Sequence, residues 1–434
     1  MDLSEINFHT FGCKVNSYDT GLLEKNLSLS KFERTVHVLN TCAVTAEATR
    51  EAVRSIKRLK KKNPDSIVVV TGCSAQVDTE SFVGLQEADL VVANSHKTQL
   101  PQIIEDFLNQ KSSEKIFKSN IFKIEDLGEG GGKNSLHTRS FLKIQDGCNS
   151  FCTYCVIPFA RGKSRSIPID QIVDKVHELY DQGMREVVVT GIHIGDYQDV
   201  EFGESKARGL EDLIEQLLIR TKMPRFRVSS LEPPELTPRL LELYSVDRMC
   251  PHFHMSIQSA TDSVLFGMKR QYGQTEVQRA LREIDHRLKN AYVGMDVIVG
   301  FPGESERDFQ ETYEVLKDLP WTKIHVFPYS ERPNTFAQRL SDKNNQNEII
   351  QRARFLRDLS QSRLKYQAEK QLGSVKKGLA LVSKQENESL FLSRDYWNIK
   401  LEEVLPVSQE EIDIKITDFY AQGEKAFLIG QKYT

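Results

Sequence analysis

The 434-residue sequence lacks the features of membrane and secreted proteins. Nowhere do about 18 uncharged apolar residues follow one another, and Met1–Glu5 contains neither the basic nor the apolar part of a secretory signal. Neither sign of charge is in excess, because 58 Lys and Arg face 61 Asp and Glu, which excludes a polybasic coat and an acidic tail. We therefore expect a cytoplasmic protein that does not contact a membrane and that binds any polyanion through local groups.

Cysteine is also scarce. Seven cysteines are too few, and an odd number, for the disulfide framework of a secreted protein, which leaves metal ligation or redox chemistry. The 39% hydrophobic content is ordinary for a globular protein, and the length predicts two or three domains, each with its own core.

Three of the cysteines each follow a short β-rich segment. These cysteines are Cys13, Cys42 and Cys73, and the segments before them are Ile6–Thr10, Val36–Leu39 and Ile67–Val70. The cysteines lie 29 and 31 positions apart, which is about the length of one βαβ unit, and 47–62 has the pattern of a basic helix. Because the carboxyl ends of parallel strands meet at one edge of a sheet, we expect the three thiols to converge there.

The remaining chain divides into three further parts. After an N-terminal domain at 1–118, the polar, glycine-rich segment 119–134 is typical of a linker. Residues 135–365 alternate six short apolar segments with helical patterns, which predicts a partial (βα)6 barrel. A long Arg-rich helix is predicted across the end of this unit, and the short strands within 366–434 predict a small all-β, OB-like module. The predicted segments are 141–144, 186–190, 226–229, 252–257, 292–299 and 323–327 in the barrel, 342–371 for the helix, and 378–382, 389–392, 412–416 and 425–429 in the module.

The strongest motif lies directly after the first barrel segment. Cys148, Cys152 and Cys155 have the spacing CxxxCxxC, and three thiolates on one loop can hold three irons of a 4Fe-4S cluster. No fourth cysteine is near in sequence, so the fourth iron is expected to be open to a substrate. A structural zinc site normally has four ligands, and its two-plus-two cysteine spacing is absent.

This motif resembles that of the radical S-adenosylmethionine enzymes, with Tyr154 as the aromatic residue before the third cysteine. The resemblance implies a partial βα barrel in which the open iron chelates S-adenosylmethionine. It also implies reductive cleavage of that cofactor to a 5'-deoxyadenosyl radical.

The whole chain is similar, in order, to the methylthiotransferases. The motifs around the three N-terminal cysteines are 11–16, 40–44 and 71–76, the matching barrel segments are 228–233, 268–272, 296–304 and 325–330, and the C-terminal module is similar to the RNA-binding TRAM domain. The resemblance implies a second 4Fe-4S cluster on Cys13, Cys42 and Cys73, although buried core cysteines would explain the same pattern. It also implies S-adenosylmethionine as both methyl donor and radical source, an electron donor protein and a sulfur source.

The family has three substrate branches: isopentenyladenosine in tRNA, threonylcarbamoyladenosine in tRNA, and an aspartate of a ribosomal protein. The sequences 12–16 and 191–197 resemble the threonylcarbamoyladenosine branch most closely. We therefore predict methylthiolation of carbon 2 of N6-threonylcarbamoyladenosine next to the anticodon, by a monomer. A hypothesis from another class is a non-catalytic iron–sulfur module that binds RNA.

The charge distribution bears on RNA binding. The helix at 47–62 either contacts phosphates or is a solvated face. The C-terminal module has 9 basic and 10 acidic residues from Lys370 onward, so it lacks a positive field.

The resemblance also implies individual roles. Predicted contacts to S-adenosylmethionine are Tyr154, Gly191, Ser229, Glu232, Ile298, Gly300 and Phe327. Arg270 and Tyr272 are candidates to face the substrate, and no general base is predicted. Gly300 has a second interpretation as a turn glycine. Cys250, His252 and His254 alternate along a strand and could ligate a third metal, but we expect them to line the barrel interior.

Overall fold

The computed structural model describes residues 6–27, 34–124, 139–199, 207–381, 388–401, 403–405 and 410–433. It confirms the α/β class and has three units: a parallel sheet, an open βα barrel and a small closed β-barrel. Every helix in these ranges is too short or too polar to cross a lipid bilayer.

The N-terminal sheet confirms all three predicted strands and adds two. Its five strands are parallel and lie in sequence order. They are β1 (Ile6–Thr10), β2 (Val36–Thr41), β3 (Ile67–Gly72), β4 (Leu90–Ala93) and β5 (Ile116–Phe117). The helices are α1 (Lys14–Leu27), α2 (Ala46–Lys62), α3 (Cys73–Val77), α4 (Glu80–Val83) and α5 (Leu100–Leu108), with 3-10 turns at Asn94–Gln99 and Ile121–Lys123.

Both faces of this sheet are covered. Leu23 and Leu27 of α1 and Ile104 of α5 pack on one face, and Ala52 and Ile56 of α2 pack on the other. Strands β2 and β3 are therefore buried at every residue, as is usual for parallel strands between two helical layers.

The barrel also confirms the prediction. The barrel contains six parallel strands. The third of them is followed directly by a short strand that pairs with the fourth and so connects the two halves of the barrel. The strands of this unit are β6 (Arg139–Lys143), β7 (Gln145–Asp146), β8 (Arg165–Ser166), β9 (Glu186–Thr190), β10 (Arg225–Val228), β11 (Ser230–Leu231), β12 (His252–Gln258), β13 (Tyr292–Val299) and β14 (Lys323–Pro328). The helices are α6 (Ile157–Arg161), α7 (Ile169–Asp181), α8 (Leu210–Arg220), α9 (Pro238–Leu243), α10 (Asp262–Gly267), α11 (Gln274–Arg287) and α12 (Glu306–Asp318), with 3-10 turns at Ile194–Asp196, Pro233–Glu235 and Ala337–Arg339. In the described ranges β14 does not pair with β6, so the barrel stays open on one side.

The C-terminal unit is a closed barrel of five strands. They are β15 (Val375–Leu381), β16 (Leu390–Ser393), β17 (Asn398–Leu401), β18 (Ile412–Gln422) and β19 (Lys425–Lys432). Four of them confirm predicted segments, whereas β17 was not predicted; it closes the barrel between β16 and β19. The predicted all-β module is thus present, and its kinship with the TRAM domain stays a prediction.

Helix α13 (Gln346–Glu369) connects the two barrels. Its Ser360 hydroxyl accepts a hydrogen bond from the Ile324 N–H of β14 (2.9 Å), and its Leu364 belongs to the core of the C-terminal barrel. The predicted boundary at residue 365 therefore lies inside a helix that both units share. Two buried arginines of β10 tighten this junction: Arg225 donates to the carbonyls of Leu392 and Ser393, and Arg227 to that of Arg394 (3.0 Å).

The predicted linker at 119–134 falls largely outside the described residues. Its first part is packed against the barrel: Ile121 is buried, and the Phe122 ring lies 6.1 Å from that of Phe151. These two apolar residues explain why the chain is held here despite its polar composition.

Candidate active site

A tight loop between β7 and α6 carries Cys148, Cys152 and Cys155, which we call the loop trio. The Cys155 N–H donates to the Cys152 carbonyl (2.9 Å), which turns the chain between the last two thiols. The Thr153 N–H donates to the Met268 carbonyl (3.1 Å) and ties the loop to the end of α10. The loop thus places three thiols together at the carboxyl end of the barrel, as the motif predicts.

The thiols of the loop trio influence one another. Burial, and after it the neighbouring Cys152, raises the pKa of the Cys155 thiol to about 12, and burial likewise raises the pKa of Cys152. Burial acts in the same direction on Cys148, but hydrogen bonds from His193 and Ser150 outweigh it, so the pKa of Cys148 is lowered. Each thiolate opposes the ionisation of the next, so this donor set fits a bound cation such as iron.

His193 stands directly beside the loop trio. Its Nδ1 lies 3.8 Å from Cys148 Sγ and 3.1 Å from Asp196, and its Nε2 lies 2.5 Å from Glu235. Burial acts to lower the pKa of His193, but hydrogen bonds to Asp196, Cys148 and Glu235 raise it overall. The imidazolium is therefore favoured, with its donors fixed on a thiol and two carboxylates.

Arg270 links three of the predicted cofactor and substrate residues. It donates to the Glu232 carboxylate and to the Tyr154 hydroxyl (2.7 Å), and its guanidinium lies 5.7 Å from the centre of the Tyr272 ring. The Tyr272 hydroxyl donates to the Ser256 carbonyl (2.8 Å), and both Arg270 and Tyr272 are buried. The structure places both on the loop-trio side of the barrel, with Tyr272 already satisfied; their contact with substrate stays a prediction.

Cys13, Cys42 and Cys73, which we call the sheet trio, lie at the ends of β1, β2 and β3, as the strand pattern predicts. A Cβ atom at Gly12 would lie 2.5 Å from Cys42 Sγ, so glycine is needed where β1 passes the second thiol. The Asn94 side-chain amide donates to Cys73 Sγ (3.7 Å).

The sheet trio shows the same mutual influence as the loop trio. Burial, then Cys73, and more weakly Cys13, raises the pKa of Cys42 to about 12. The surrounding protein and Cys73 also raise the pKa of Cys13, against the opposing effect of Arg161, although this residue is exposed towards the cavity. These effects are those of thiols that lie near one another, and three thiols without a fourth again fit an iron–sulfur cluster, whose presence here stays a prediction.

A buried ionic network joins the sheet domain to the barrel between the two trios. Arg161 of α6 donates to Asn16 Oδ1 (2.6 Å), to Asp146 (2.9 Å) and to Asp19 (3.1 Å). Lys143 of β6 binds the same two carboxylates, at 2.8 Å from Asp19 and 3.2 Å from Asp146. Residues from β6, β7, α1 and α6 thereby fix the position of one trio relative to the other.

The charges of this network hold one another ionised. Burial acts to raise the pKa of Asp146, but Arg161 and Lys143 outweigh it and bring it to about 2. The pKa of Asp19 is also lowered, because Lys143, Lys97 and Arg161 outweigh burial. Removing one partner would therefore leave an uncompensated buried charge.

A cavity of about 920 Å³ lies where all three units meet. The sheet domain contributes Cys13, so the sheet trio borders this space, and the barrel contributes its interior face. The C-terminal barrel contributes aromatic rings and lysines. Its wall residues include Gly12, Cys13, Lys14, Gly191, Ser229, Ser230, His252, His254, Asp296, His325, Tyr396, Trp397, Lys400, Lys425 and Phe427.

A smaller pocket of about 190 Å³ lies between the loop trio and this cavity. Its walls include Cys155 together with Tyr154, Ile298 and Phe327, three of the residues predicted to contact S-adenosylmethionine. The two spaces share the wall residues Val44, Ile157 and Asp296. A cofactor in the small pocket would therefore be next to a substrate in the large cavity.

The other predicted cofactor residues are dispersed. Gly191 and Ser229 line the large cavity. Gly300, with φ of +76°, donates from its N–H to the Glu304 carboxylate (2.6 Å), and Ile349 occupies the space that a side chain would need. Local packing thus accounts for Gly300 by itself, and its contact with a cofactor stays a prediction.

Cys250, His252 and His254 do not form a ligand set among the described residues. Cys250 is fully buried, and the His252 ring stacks on Tyr396 with ring centres 3.8 Å apart. His254 Nε2 lies 3.0 Å from Asp296. Both histidines line the cavity, as the interior-lining interpretation expects.

The basic helix predicted at 47–62 is present as α2, but its charges are partly neutralised. Arg54 pairs with Glu47 and Glu51, and Lys60 lies 2.8 Å from Asp89. Exposed cations remain near its C-terminal end, so phosphate contact there stays a prediction.

Sequence reasoning did not single out His193, Lys14 or Arg161. The first two stand inside motifs used for the family resemblance, so their motifs were the available signal. Arg161 had none, because its partners Asn16 and Asp19 are distant in sequence.

Comparison with known proteins supports this architecture. The profile of the Radical SAM superfamily matches residues 142–316, and that of Uncharacterized protein family UPF0004 matches residues 5–93. The chain is 38% identical to a threonylcarbamoyladenosine tRNA methylthiotransferase of Aquifex aeolicus, over 92% of this chain and 97% of that protein. It is 30% identical to a tRNA-2-methylthio-N(6)-dimethylallyladenosine synthase of Methylobacillus flagellatus, over 85% of this chain and 86% of the relative.

Among solved structures, a radical S-adenosylmethionine methyltransferase of Kitasatospora setae aligns with a TM-score of 0.56. The alignment covers 77% of each chain at 12% identity, so it shows a shared fold and nothing about substrate.

Proposed function

The chain belongs to the radical S-adenosylmethionine methylthiotransferases, and on that premise we propose that it adds a methylthio group to carbon 2 of N6-threonylcarbamoyladenosine in tRNA, beside the anticodon. One observation carries the proposal: a single cavity is bordered by Cys13, by the interior of the radical barrel and by the aromatic, lysine-bearing face of the C-terminal barrel. These are the three elements needed to bring a nucleobase to a sulfur source and a radical.

The tRNA substrate is supported by the C-terminal wall of the cavity. The wall contains the aromatic residues Tyr396 and Phe427, a residue type found in RNA-binding sites, and Lys425 at its rim is exposed and offers a cation for a phosphate. The target base must leave the base stack before its carbon 2 becomes accessible to the enzyme, and a cavity of this volume can hold the extruded base. The near-neutral charge of the whole module does not oppose this, since the cations are local.

Membership of the family implies one 4Fe-4S cluster and S-adenosylmethionine. We assign that cluster to the loop trio and propose a second on the sheet trio, because one set of three thiols lies on a single loop and the other follows the ends of three neighbouring strands. When bound, the first cluster and S-adenosylmethionine supply methyl and radical chemistry, and the second cluster supplies a site for sulfur. An electron donor protein and a sulfur source are required partners in this proposal.

The protein's own residues would position these groups. Tyr154, Ile298 and Phe327 would enclose S-adenosylmethionine, with Gly191, Ser229, Glu232 and Gly300 as further proposed contacts. Arg270 fixes the Glu232 carboxylate, and His193 orients Cys148. Val44 and Ile157 line both spaces and give them a shared apolar wall.

The test is a single-turnover assay with anaerobically reconstituted enzyme. The enzyme is mixed with reductant, sulfide, S-adenosylmethionine and tRNA bearing threonylcarbamoyladenosine, and the nucleosides are analysed by mass spectrometry. We expect the mass gain of one methylthio group on that nucleoside and none with a Cys148→Ala variant.

Parallel reactions separate the alternatives. Conversion of isopentenyladenosine tRNA alone, or of a ribosomal-protein aspartate alone, would move the enzyme to another branch. Absence of 5'-deoxyadenosine with every substrate would favour a non-catalytic iron–sulfur module. Sedimentation of the same preparation tests the proposed monomer.

A further inference from the structure

Lys14 is the residue that immediately follows Cys13, and it borders the same cavity as that cysteine. Its side chain is partly buried, and among the described residues it has neither an ion pair nor a hydrogen bond. Asp296 on the same cavity wall attracts Lys14 from a distance, but this carboxylate is engaged by His254 (3.0 Å). A partly buried cation with no directly paired counter-charge is costly to the folded protein, which makes such a site receptive to an incoming anion.

The other cations of this wall are already engaged. Lys323 donates to the Glu424 carbonyl (3.0 Å), and Lys400 pairs with Glu388. Arg227, which lies behind the wall, pairs with Glu186 (3.0 Å). Lys425 lies exposed at the cavity rim. Lys14 is therefore the cation in the described part of this wall that remains both partly buried and unpartnered.

The surroundings of Lys14 contain a second unsatisfied polar group. His252 is buried on the same cavity wall, and its Nδ1 has no hydrogen-bond partner among the described residues. Its ring stacks on Tyr396, and the Arg227 guanidinium lies 4.9 Å from the centre of that tyrosine ring. Burial acts to raise the pKa of Tyr396, but Lys14, Arg139 and Arg227 outweigh it, and the pKa is lowered. The region is thus electropositive.

The chemistry of the proposed substrate fits this position. Carbon 2 and the N6 substituent of adenine flank the same edge of the ring, whereas the ribose and its phosphates leave from the opposite side. If carbon 2 faces the sheet trio, the N6 substituent must lie close to the residues around Cys13. In threonylcarbamoyladenosine this substituent ends in a carboxylate, whereas in isopentenyladenosine it is an uncharged hydrocarbon.

We propose that Lys14 binds the carboxylate of the threonylcarbamoyl group and thereby selects an anionic N6 substituent over an apolar one. The inference rests on the proposed function, since it names the group that reads this substrate. A phosphate of the RNA backbone is the other anion that a lysine could bind, and the experiment separates the two.

The experiment measures the affinity of the reconstituted enzyme for two anticodon stem-loop RNAs. One carries N6-threonylcarbamoyladenosine, and in the other the threonine carboxylate is replaced by a carboxamide. A charged hydrogen bond predicts that the wild type binds the carboxylate RNA about 10- to 100-fold more tightly. We expect Lys14→Gln to bind both RNAs equally, and Lys14→Arg to retain most of the preference.

Lys425→Gln is the matched control, because this lysine also borders the cavity but lies at its rim. It should weaken both RNAs by the same factor and keep their ratio. Equal loss for both RNAs in Lys14→Gln would overturn the proposal in favour of a phosphate contact. If Lys14→Gln binds both RNAs as tightly as the wild type does, and so keeps the preference for the carboxylate RNA, the proposal is overturned as well.

The iron content of each variant is measured, because a substitution next to Cys13 can change binding simply by causing loss of the proposed cluster. If Lys14→Gln loses iron, Lys14→Arg carries the test, and a lost preference in iron-loaded Lys14→Arg counts against a charge-based reading. Failure of the proposed function looks different: the wild type would then leave threonylcarbamoyladenosine tRNA unmodified in the turnover assay, whatever the binding ratio.

Discussion

Cys148, Cys152 and Cys155 lie within one short loop, whereas Cys13, Cys42 and Cys73 come from the ends of three strands whose register brings them together. The loop trio depends on local backbone geometry, and its motif is readable from sequence. The sheet trio depends on the packing of a whole domain. A set of three thiols is therefore assembled once by local backbone geometry and once by long-range packing. The loop trio and the sheet trio should respond differently to substitutions.

The largest effects are expected from removing each trio. The triple alanine variant of the loop trio should lose about four of about eight irons and all formation of 5'-deoxyadenosine. The triple variant of the sheet trio should lose a similar amount of iron but keep 5'-deoxyadenosine formation while losing methylthio transfer. Iron and sulfide analysis with product chromatography measures this. About four irons in the wild type and none in the loop variant would contradict a second cluster.

Glycine substitutions should damage one trio at a time. Gly12→Ala places a methyl group against Cys42 and should deplete the iron of the sheet trio, whereas Gly147→Ala collides with the Lys163 carbonyl and should deplete that of the loop trio. Both glycines have positive φ, of +89° and +75°. Gly303→Ala is the control, because its φ is +88° but no atom lies within 4 Å of the added carbon. It should cost about 1–2 kcal/mol of backbone strain and no iron.

Substitution at the junction should affect both trios together. Arg161→Met leaves buried carboxylates without their arginine, and we expect a loss of about 3–5 kcal/mol in the free energy of unfolding, measured by urea denaturation. Arg54→Met, which breaks only exposed pairs with two glutamates, should leave the free energy of unfolding almost unchanged. Equal small losses in both variants would show that the buried network does not hold the domains together.

Acid should weaken the same junction by a smaller amount. The pKa of Asp146 is about 2 in the folded protein and about 3.9 in an unfolded chain. Below pH 4 the unfolded state takes up a proton that the folded state does not, so this carboxylate stabilises the protein above that pH. The stability is lost as the pH falls towards 2, on the order of 2 kcal/mol. Denaturation midpoints between pH 5 and 2 measure the slope, and Asp146→Asn should flatten it.

Much of the fold could be predicted from the sequence because buried parallel strands are continuous apolar segments. The bounds of β1, β9 and β13 match the predicted segments at both ends. Strand β17 escaped prediction, because its four residues, Asn398–Leu401, alternate polar and apolar side chains, and only pairing with β16 and β19 makes them a strand. Short strands of this kind are defined by their neighbours rather than by their composition.

The candidate site was predictable to a different degree at each trio and at the cavity. Both sets of cysteines could be placed from spacing and strand ends. The large cavity could not, because its walls come from three units, and no local pattern states how Lys14, His252 and Tyr396 approach one another. Likewise, Arg270 and Tyr272 were expected near the substrate, but their burial beside Tyr154 and Glu232 follows from tertiary packing.

The arginines of β10 have a consequence for cooperativity. Arg225 and Arg227 are fully buried, and carbonyl groups of Leu392, Ser393 and Arg394 accept their hydrogen bonds. Removing the C-terminal barrel would take away these carbonyl acceptors and leave the Glu186 carboxylate to satisfy both guanidinium groups. The radical barrel and the C-terminal barrel should therefore unfold in a single transition, so the latter is part of one folding unit and not a detachable accessory.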